Sequence, residues 1–200
     1  MKKLVVLDYG SGNLRSAQRA LERVGAEVSV TADRTAALNA DGLVIPGVGA
    51  YAACMAGLID VDAPAIVAER VLRGRPILGI CVGMQVLFDA GVEHGVETAG
   101  LGVIAGRVEL LAAPILPHMG WNTIVAAPGS RLFAGVDEDT RYYFVHSYAA
   151  KSAPGLAHLA VHGEEFVAAV ESDVVSATQF HPEKSGDAGA VVLANWLGTL

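Results

Sequence analysis

The pentapeptide Gly79-Ile80-Cys81-Val82-Gly83 has a Gly-x-nucleophile-x-Gly form. It follows the apolar run Pro76–Ile80 and opens a segment, Gly83–Ala90, that reads as a helix. A strand-to-helix turn of this kind holds its nucleophile on a strained backbone, and glycines flank it because a Cβ there would clash. Cysteine at a helix N-terminus favours the thiolate, the attacking form. The N–H of Val82 can then face the oxyanion of a tetrahedral intermediate.

A thiolate needs a histidine, and the histidine needs a third group to set its tautomer. Of His94, His118, His146, His158, His162 and His181, the last ends the strand-like run VVSATQF and precedes Pro182-Glu183. Residues two apart in an extended chain point the same way. Glu183 is therefore expected to accept from one imidazole nitrogen while the other faces Cys81. His146, in YYFVHSY, alternates with Phe144 and Tyr148; it either lines the same cleft or is a satisfied sheet residue. His94, His158 and His162 read as turn or exposed-edge residues. Gln85 lies four residues beyond Cys81 on the same helix face, where it meets a polar end of the substrate or simply covers the helix. Cys54, in AACMAGL, reads as core.

Two glycine loops follow strands. Gly10-Ser11-Gly12-Asn13-Leu14-Arg15 begins like a dinucleotide fingerprint, with Asp33 near the expected spacing, but ends in arginine where glycine or alanine is wanted. Gly47-Val48-Gly49-Ala50-Tyr51-Ala52 fits the letters better, yet Pro46 precedes it and no acid lies at the right distance. A nucleotide-binding module would leave Cys81, His181 and Glu183 without a task. In the cysteine reading, the Pro46–Gly49 loop, through Val48 and Gly49, supplies the second oxyanion donor.

The elements that must position these groups alternate in the first half. Strands are expected at Lys3–Asp8, Val28–Thr31, Gly42–Ile45 and Pro76–Ile80, with helices at Leu14–Val24, Ala50–Leu58, Ala65–Leu72 and Gly83–Ala90. That pattern means parallel pairing through helical crossovers. Beyond Gly91 the strands Val103–Leu111, Asn122–Val125, Arg141–Ala149, Ala157–Val161, Phe166–Glu171 and Val174–Phe180 dominate, before a last helix at Asp187–Leu197. The fold expected is a single α/β domain over residues 1–200: a three-layer, open mixed sheet, parallel first and antiparallel-rich later.

Composition agrees. The chain is 52% hydrophobic and 18% charged, which excludes disorder and favours a sheet buried on both faces. A net charge of −7 without a basic stripe argues against nucleic acid. No apolar run is long enough for a membrane span, and LVVL before Asp8 is too short for a signal peptide. Two cysteines make neither a disulfide framework nor a zinc set, so the cytoplasm is expected, with no metal and no cofactor.

These motifs resemble the class I (triad) glutamine amidotransferases, with a flavodoxin-like fold, most closely their imidazole glycerol phosphate synthase branch. The similarity spans essentially the whole chain. It is carried by Asp8–Ser16, Pro46–Ala50, Gly79–Gln85, Pro117–Asn122, Tyr143–Tyr148 and His181–Ser185. Val82 replaces a more usual leucine, at a position where only the backbone acts.

The resemblance implies that Cys81 attacks the glutamine side-chain amide and that His181 protonates the leaving ammonia before water hydrolyses the thioester. It also implies that Gly49, Gln85, Ser147 and Tyr148 hold glutamine, and that Trp121, Asn122, Tyr143 and Lys184 lie near a (β/α)₈-barrel cyclase, the partner in a heterodimer that uses the ammonia. A gate is implied too: a peptide in Pro46–Gly49 turns to complete the oxyanion hole when the partner carries its nucleotide substrate. A sister glutaminase serving another synthase, of the anthranilate or pyridoxal phosphate type, is the alternative within the class.

Overall fold

Uncharged runs of five or six residues bury both faces of a strand, and such runs form the centre of the main sheet. The computed structural model describes residues 1–200. In chain order the first half comprises β1 (Lys3–Leu7), α1 (Leu14–Arg23), β2 (Glu27–Thr31), α2 (Arg34–Asn39), β3 (Gly42–Gly47), α3 (Tyr51–Asp60), α4 (Ala63–Leu72), β4 (Ile77–Cys81) and α5 (Val82–Gln85). The second half comprises β5 (Phe88–Glu93), β6 (Val96–Ala99), β7 (Ile104–Leu110), β8 (His118–Thr123), β9 (Arg141–His146), β10 (Tyr148–Ala150), β11 (Leu156–His162), β12 (Glu164–Glu171), β13 (Val175–Thr178) and α6 (Gly186–Leu197).

Seven strands make a mixed sheet in the order β11-β12-β13-β4-β3-β1-β2. Its central strands β3, β4 and β13 are buried at every residue, whereas the edge strand β2 is not. Pairing is parallel from β13 through β4, β3 and β1 to β2, and antiparallel from β13 outward to β11. Helices α1 and α6 pack together, as do α2, α3 and α4. These two groups flank the sheet as the outer layers of a three-layer α/β fold. One hydrophobic cluster of 50 buried residues joins the layers. No single helix is long and apolar enough to cross a membrane.

Register determines where a site can form. Gly47 stands opposite Cys81, and Thr178 opposite Ile80. The loops leaving β3, β4 and β13 therefore emerge side by side at the carboxyl ends of parallel strands, where open α/β sheets bind their ligands.

The structure corrects several expectations. The helix over Gly83–Ala90 is a single turn, and Phe88–Glu93 is strand β5. Val86, Leu87 and Phe88 are fully buried, so no helical face is left for solvent. Their carbonyls accept instead from the chain at 101–104, with Leu101 N–H bonding the Val86 carbonyl at 2.7 Å. Long-range pairing overrides local propensity here. Strand β6 and helix α2 were not foreseen; Asp33 caps α2 by accepting from the Ala36 N–H at 2.6 Å. The strand expected at Arg141–Ala149 breaks at Ser147 into β9 and β10, and the strand expected at Asn122–Val125 begins earlier, as β8. Strands β10-β7-β5-β6 form a separate sheet, and β8-β9 a hairpin.

Candidate active site

Strand β4 delivers Cys81 at φ 56 and ψ −116, a conformation that costs a non-glycine residue about 1–3 kcal/mol. The glycines around it are obligatory. A Cβ on Gly83 would sit 1.8 Å from the Ile45 carbonyl oxygen, and one on Gly79 would sit 2.7 Å from that of Gly83. Because α5 is one turn, the expected helix macrodipole shrinks to the free N–H groups of that turn, Val82 among them.

His181 arrives from β13, the neighbour of β4, and its N–H bonds the Tyr143 carbonyl at 2.9 Å. Its Nδ1 lies 2.7 Å from Glu183 Oε1, with both side chains 3% exposed. The contact forms differently from the extended geometry expected: Pro182–Lys184 is a 3-10 turn that folds Glu183 back under the ring. Nε2 is buried and makes no hydrogen bond, leaving it for the cavity that Cys81 shares. Burial works against the imidazolium, but the neighbouring Cys81 sulfur and the Glu183 carboxylate outweigh it and raise the pKa to about 9.

A cavity of about 220 Å³ opens over these groups. Its wall includes Val48, Gly49, Cys81, Val82, Gln85, Ser147, Tyr148, His181 and Lys184, so most of the residues selected from sequence meet in one place. Glu183 stands behind His181. Gln85 is not a surface residue: its amide donates to the Tyr148 carbonyl at 2.9 Å and to Gln179 Oε1 at 3.0 Å.

His146 both lines the cavity and is satisfied, and the bonds around it fix the tautomers. Its Nδ1 donates to the Tyr148 carbonyl at 3.0 Å, so Nε2 accepts from His118 Nδ1, also at 3.0 Å. His118 Nε2 in turn accepts from Asn122 at 3.3 Å. Every proton is used once and both rings are neutral. Burial lowers the pKa of His118 to about 4 and that of His146 to about 3.

Sequence reasoning missed three residues here. Gln179 is fully buried, with its amide 3.9 Å from the Cys81 sulfur. Glu93 brings a carboxylate to the cavity wall, held by the Tyr51 N–H at 2.8 Å. His118 anchors the chain just described. Each follows from strand register or sheet pairing, which no local spacing reveals. His158 was also misread: it is fully buried, and its Nε2 lies 2.9 Å from Glu171 Oε1. No three His, Cys, Asp or Glu side chains gather as a metal site.

Trp121 and Tyr143 lie outside the cavity. Trp121 is 52% exposed and meets Tyr143 edge to face at 5.9 Å, while Lys184 Nζ stands 5.9 Å from the Tyr143 ring. They form a strip running from the surface to the cavity rim. Asn122, expected near the same contact, is half-buried, and its amide donates to His118 Nε2 and to the Val161 carbonyl at 3.0 Å.

The family model for glutamine amidotransferase class-I matches residues 5–198. Curated relatives include the imidazole glycerol phosphate synthase subunit HisH of Mycobacterium bovis, 63% identical, with 100% of this chain and 98% of the relative aligned. The subunit of the same name from Streptomyces avermitilis is 59% identical over 100% of this chain and 97% of its own length. Among solved structures, PurLQS from Thermotoga maritima matches with a TM-score of 0.72 at 23% identity, covering 99% of both chains, and so speaks for the fold. With a strained cysteine turn, a buried His-Glu pair beside it and a family match over nearly the whole sequence, the chain belongs to the class I glutamine amidotransferases.

Proposed function

We infer that this chain is the glutaminase subunit of imidazole glycerol phosphate synthase, releasing ammonia from glutamine for a second subunit. The observation that carries the chemistry is the meeting of Cys81 with the His181–Glu183 pair at one cavity. The synthase assignment comes from relatives at 57–63% identity that bear that name.

In this mechanism the Cys81 thiolate attacks the side-chain amide carbon, and the oxyanion is met by the Val82 N–H and by an N–H of Val48 or Gly49. His181 Nε2 gives a proton to the departing nitrogen, so ammonia leaves and a glutamyl thioester remains. Water, deprotonated by the same nitrogen, then releases glutamate and returns the thiolate. Glu183 holds the ring in its working tautomer. Gly49, Gln85, Ser147 and Tyr148 bind the amino-acid portion, and Glu93 offers a counter-charge for an ammonium group.

The partner we propose is a (β/α)₈-barrel cyclase, bound as a heterodimer over the Trp121–Tyr143–Lys184 strip, in the cytoplasm. The Gly10 loop does not favour a nucleotide-binding module, since Asp33 is engaged as a helix cap. Glutamate release by wild type and by Cys81→Ala, each with the cyclase subunit, tests the chemistry. Loss of at least a thousandfold is expected, and an active variant would end the proposal. Glutamine-dependent ring closure on mixing the two subunits tests the partner.

A further inference from the structure

Gln179 is fully buried and is not part of the cavity wall, so it meets neither solvent nor substrate, yet it stands at the nucleophile. Thr178 is paired with Ile80, which brings the next residue level with Cys81, and the Gln179 N–H bonds the Ala168 carbonyl at 2.8 Å. The orientation of its side-chain amide follows from a fixed point. The Tyr148 carbonyl only accepts, so the group 2.9 Å from it is the Gln85 NH2. That NH2 spends its second proton on Gln179 Oε1 at 3.0 Å. The Gln179 NH2 therefore faces away from Gln85 and points at the Cys81 sulfur, 3.9 Å off. The Val145 carbonyl, 4.0 Å from the same sulfur, is an acceptor and serves only the neutral thiol.

We propose that Gln179 is a positioning residue: held by Gln85, its amide donates to the Cys81 sulfur and favours the thiolate before glutamine arrives. The proposal rests on reading Cys81 as the nucleophile. An amide suits this task because it is neutral and does not surrender its proton. It stabilises the negative sulfur without competing with His181, whose Nε2 must keep a proton for the leaving nitrogen. A hydrogen bond to an ionised acceptor is about twice as strong as a neutral one, and burial strengthens it further. Gln85 thereby gains a task besides binding glutamine, since one of its two amide protons fixes Gln179.

Alkylation of Cys81 by iodoacetamide, followed on the Cys81 peptide by mass spectrometry, reads the thiolate with no glutamine present. Gln179→Met, which keeps most of the volume and loses the donor, should react about tenfold more slowly at pH 7, the scale of one hydrogen bond to a charged group. In complex with the cyclase subunit, its kcat for glutamate release should fall by a similar factor, with KM within about twofold of wild type. Gln85→Met leaves Gln179 in place but frees its amide, and should slow alkylation several-fold. A residue that only bound glutamine would leave that rate unchanged. A folded Gln179→Met subunit alkylated as fast as wild type would overturn the proposal, and so would a raised KM with kcat intact. If Gln179→Met does not fold, Gln85→Met decides, and a wild-type alkylation rate there ends the proposal. A wild-type complex that releases no glutamate would end the functional reading instead, a result that needs no variant.

Discussion

At the scale of single residues, the site depends on Cys81 and Glu183 together keeping a positive charge on a buried ring. Because the folded pKa of His181 lies above the ordinary value of 6.5, the pair adds stability that is complete below that value and fades as pH rises through about 9. Glu183→Gln removes one of the two groups that hold the charge, so the His181 pKa falls, with the Cys81 sulfur still opposing burial. We expect the variant to lose about 2 kcal/mol near pH 6, with the gap closing by about pH 9.5 in denaturant titrations. Its His181 titration, followed by NMR, should move to lower pH; an unmoved titration would show that Glu183 does not hold the charge. Cys81, Val82, His181 and Glu183 were legible in the sequence because their requirements are local: a glycine frame imposed by a strained turn, and a carboxylate two residues from its histidine. Gln179 was not, although it adjoins His181 in sequence, because its value comes from the parallel pairing of β13 with β4, which brings it against Cys81.

At the scale of elements, the β8-β9 hairpin reaches the cavity through side chains rather than through the main sheet. The path runs from Asn122 through His118 and His146 to the Tyr148 carbonyl, where Gln85 also bonds. His118→Ala leaves the buried His146 Nε2 without its donor, at a cost of about 1–3 kcal/mol. We expect KM for glutamine to rise several-fold while kcat changes less, and equal falls in both kcat and kcat/KM would count against a positioning role. A second cluster secures the far end of the sheet. Glu171 is buried, which alone would raise its pKa, yet bonds from His158, Ser130 and the Arg131 and Leu132 N–H groups lower it to about 2. Its stabilisation is therefore complete above the ordinary value of 4.5 and lost as pH falls through about 2. Glu171→Gln should cost about 2–3 kcal/mol at pH 7 and progressively less below pH 4, read from melting curves. Elements were well foreseen where the alternation of strand and helix was regular. They failed at α5 and β5, because a run buried on all sides carries no period from which helix and strand can be told apart.

At the scale of the whole molecule, one hydrophobic cluster of 50 buried residues underlies a cavity of about 220 Å³, and the relatives' name, a synthase subunit, implies a partner subunit. The surface we propose for that partner begins at Trp121, an exposed indole propped against Tyr143, which in turn lies under Lys184 at the cavity rim. Fixed aromatics flanked by a cation dominate binding energy because they bury large area at little entropic cost. Trp121→Ala removes no buried contact within the subunit's core, so the free protein should melt within about 1 °C of wild type. Its affinity for the cyclase should fall by about 2 kcal/mol, roughly thirtyfold in Kd, measured by titration calorimetry. Glutamate release should fall at limiting cyclase and recover when cyclase is in excess, since the triad is untouched. If activity stayed low at saturating partner, Trp121 would be transmitting the activating signal rather than merely holding the subunits together. If Kd were unchanged, the docking face would lie elsewhere on the rim.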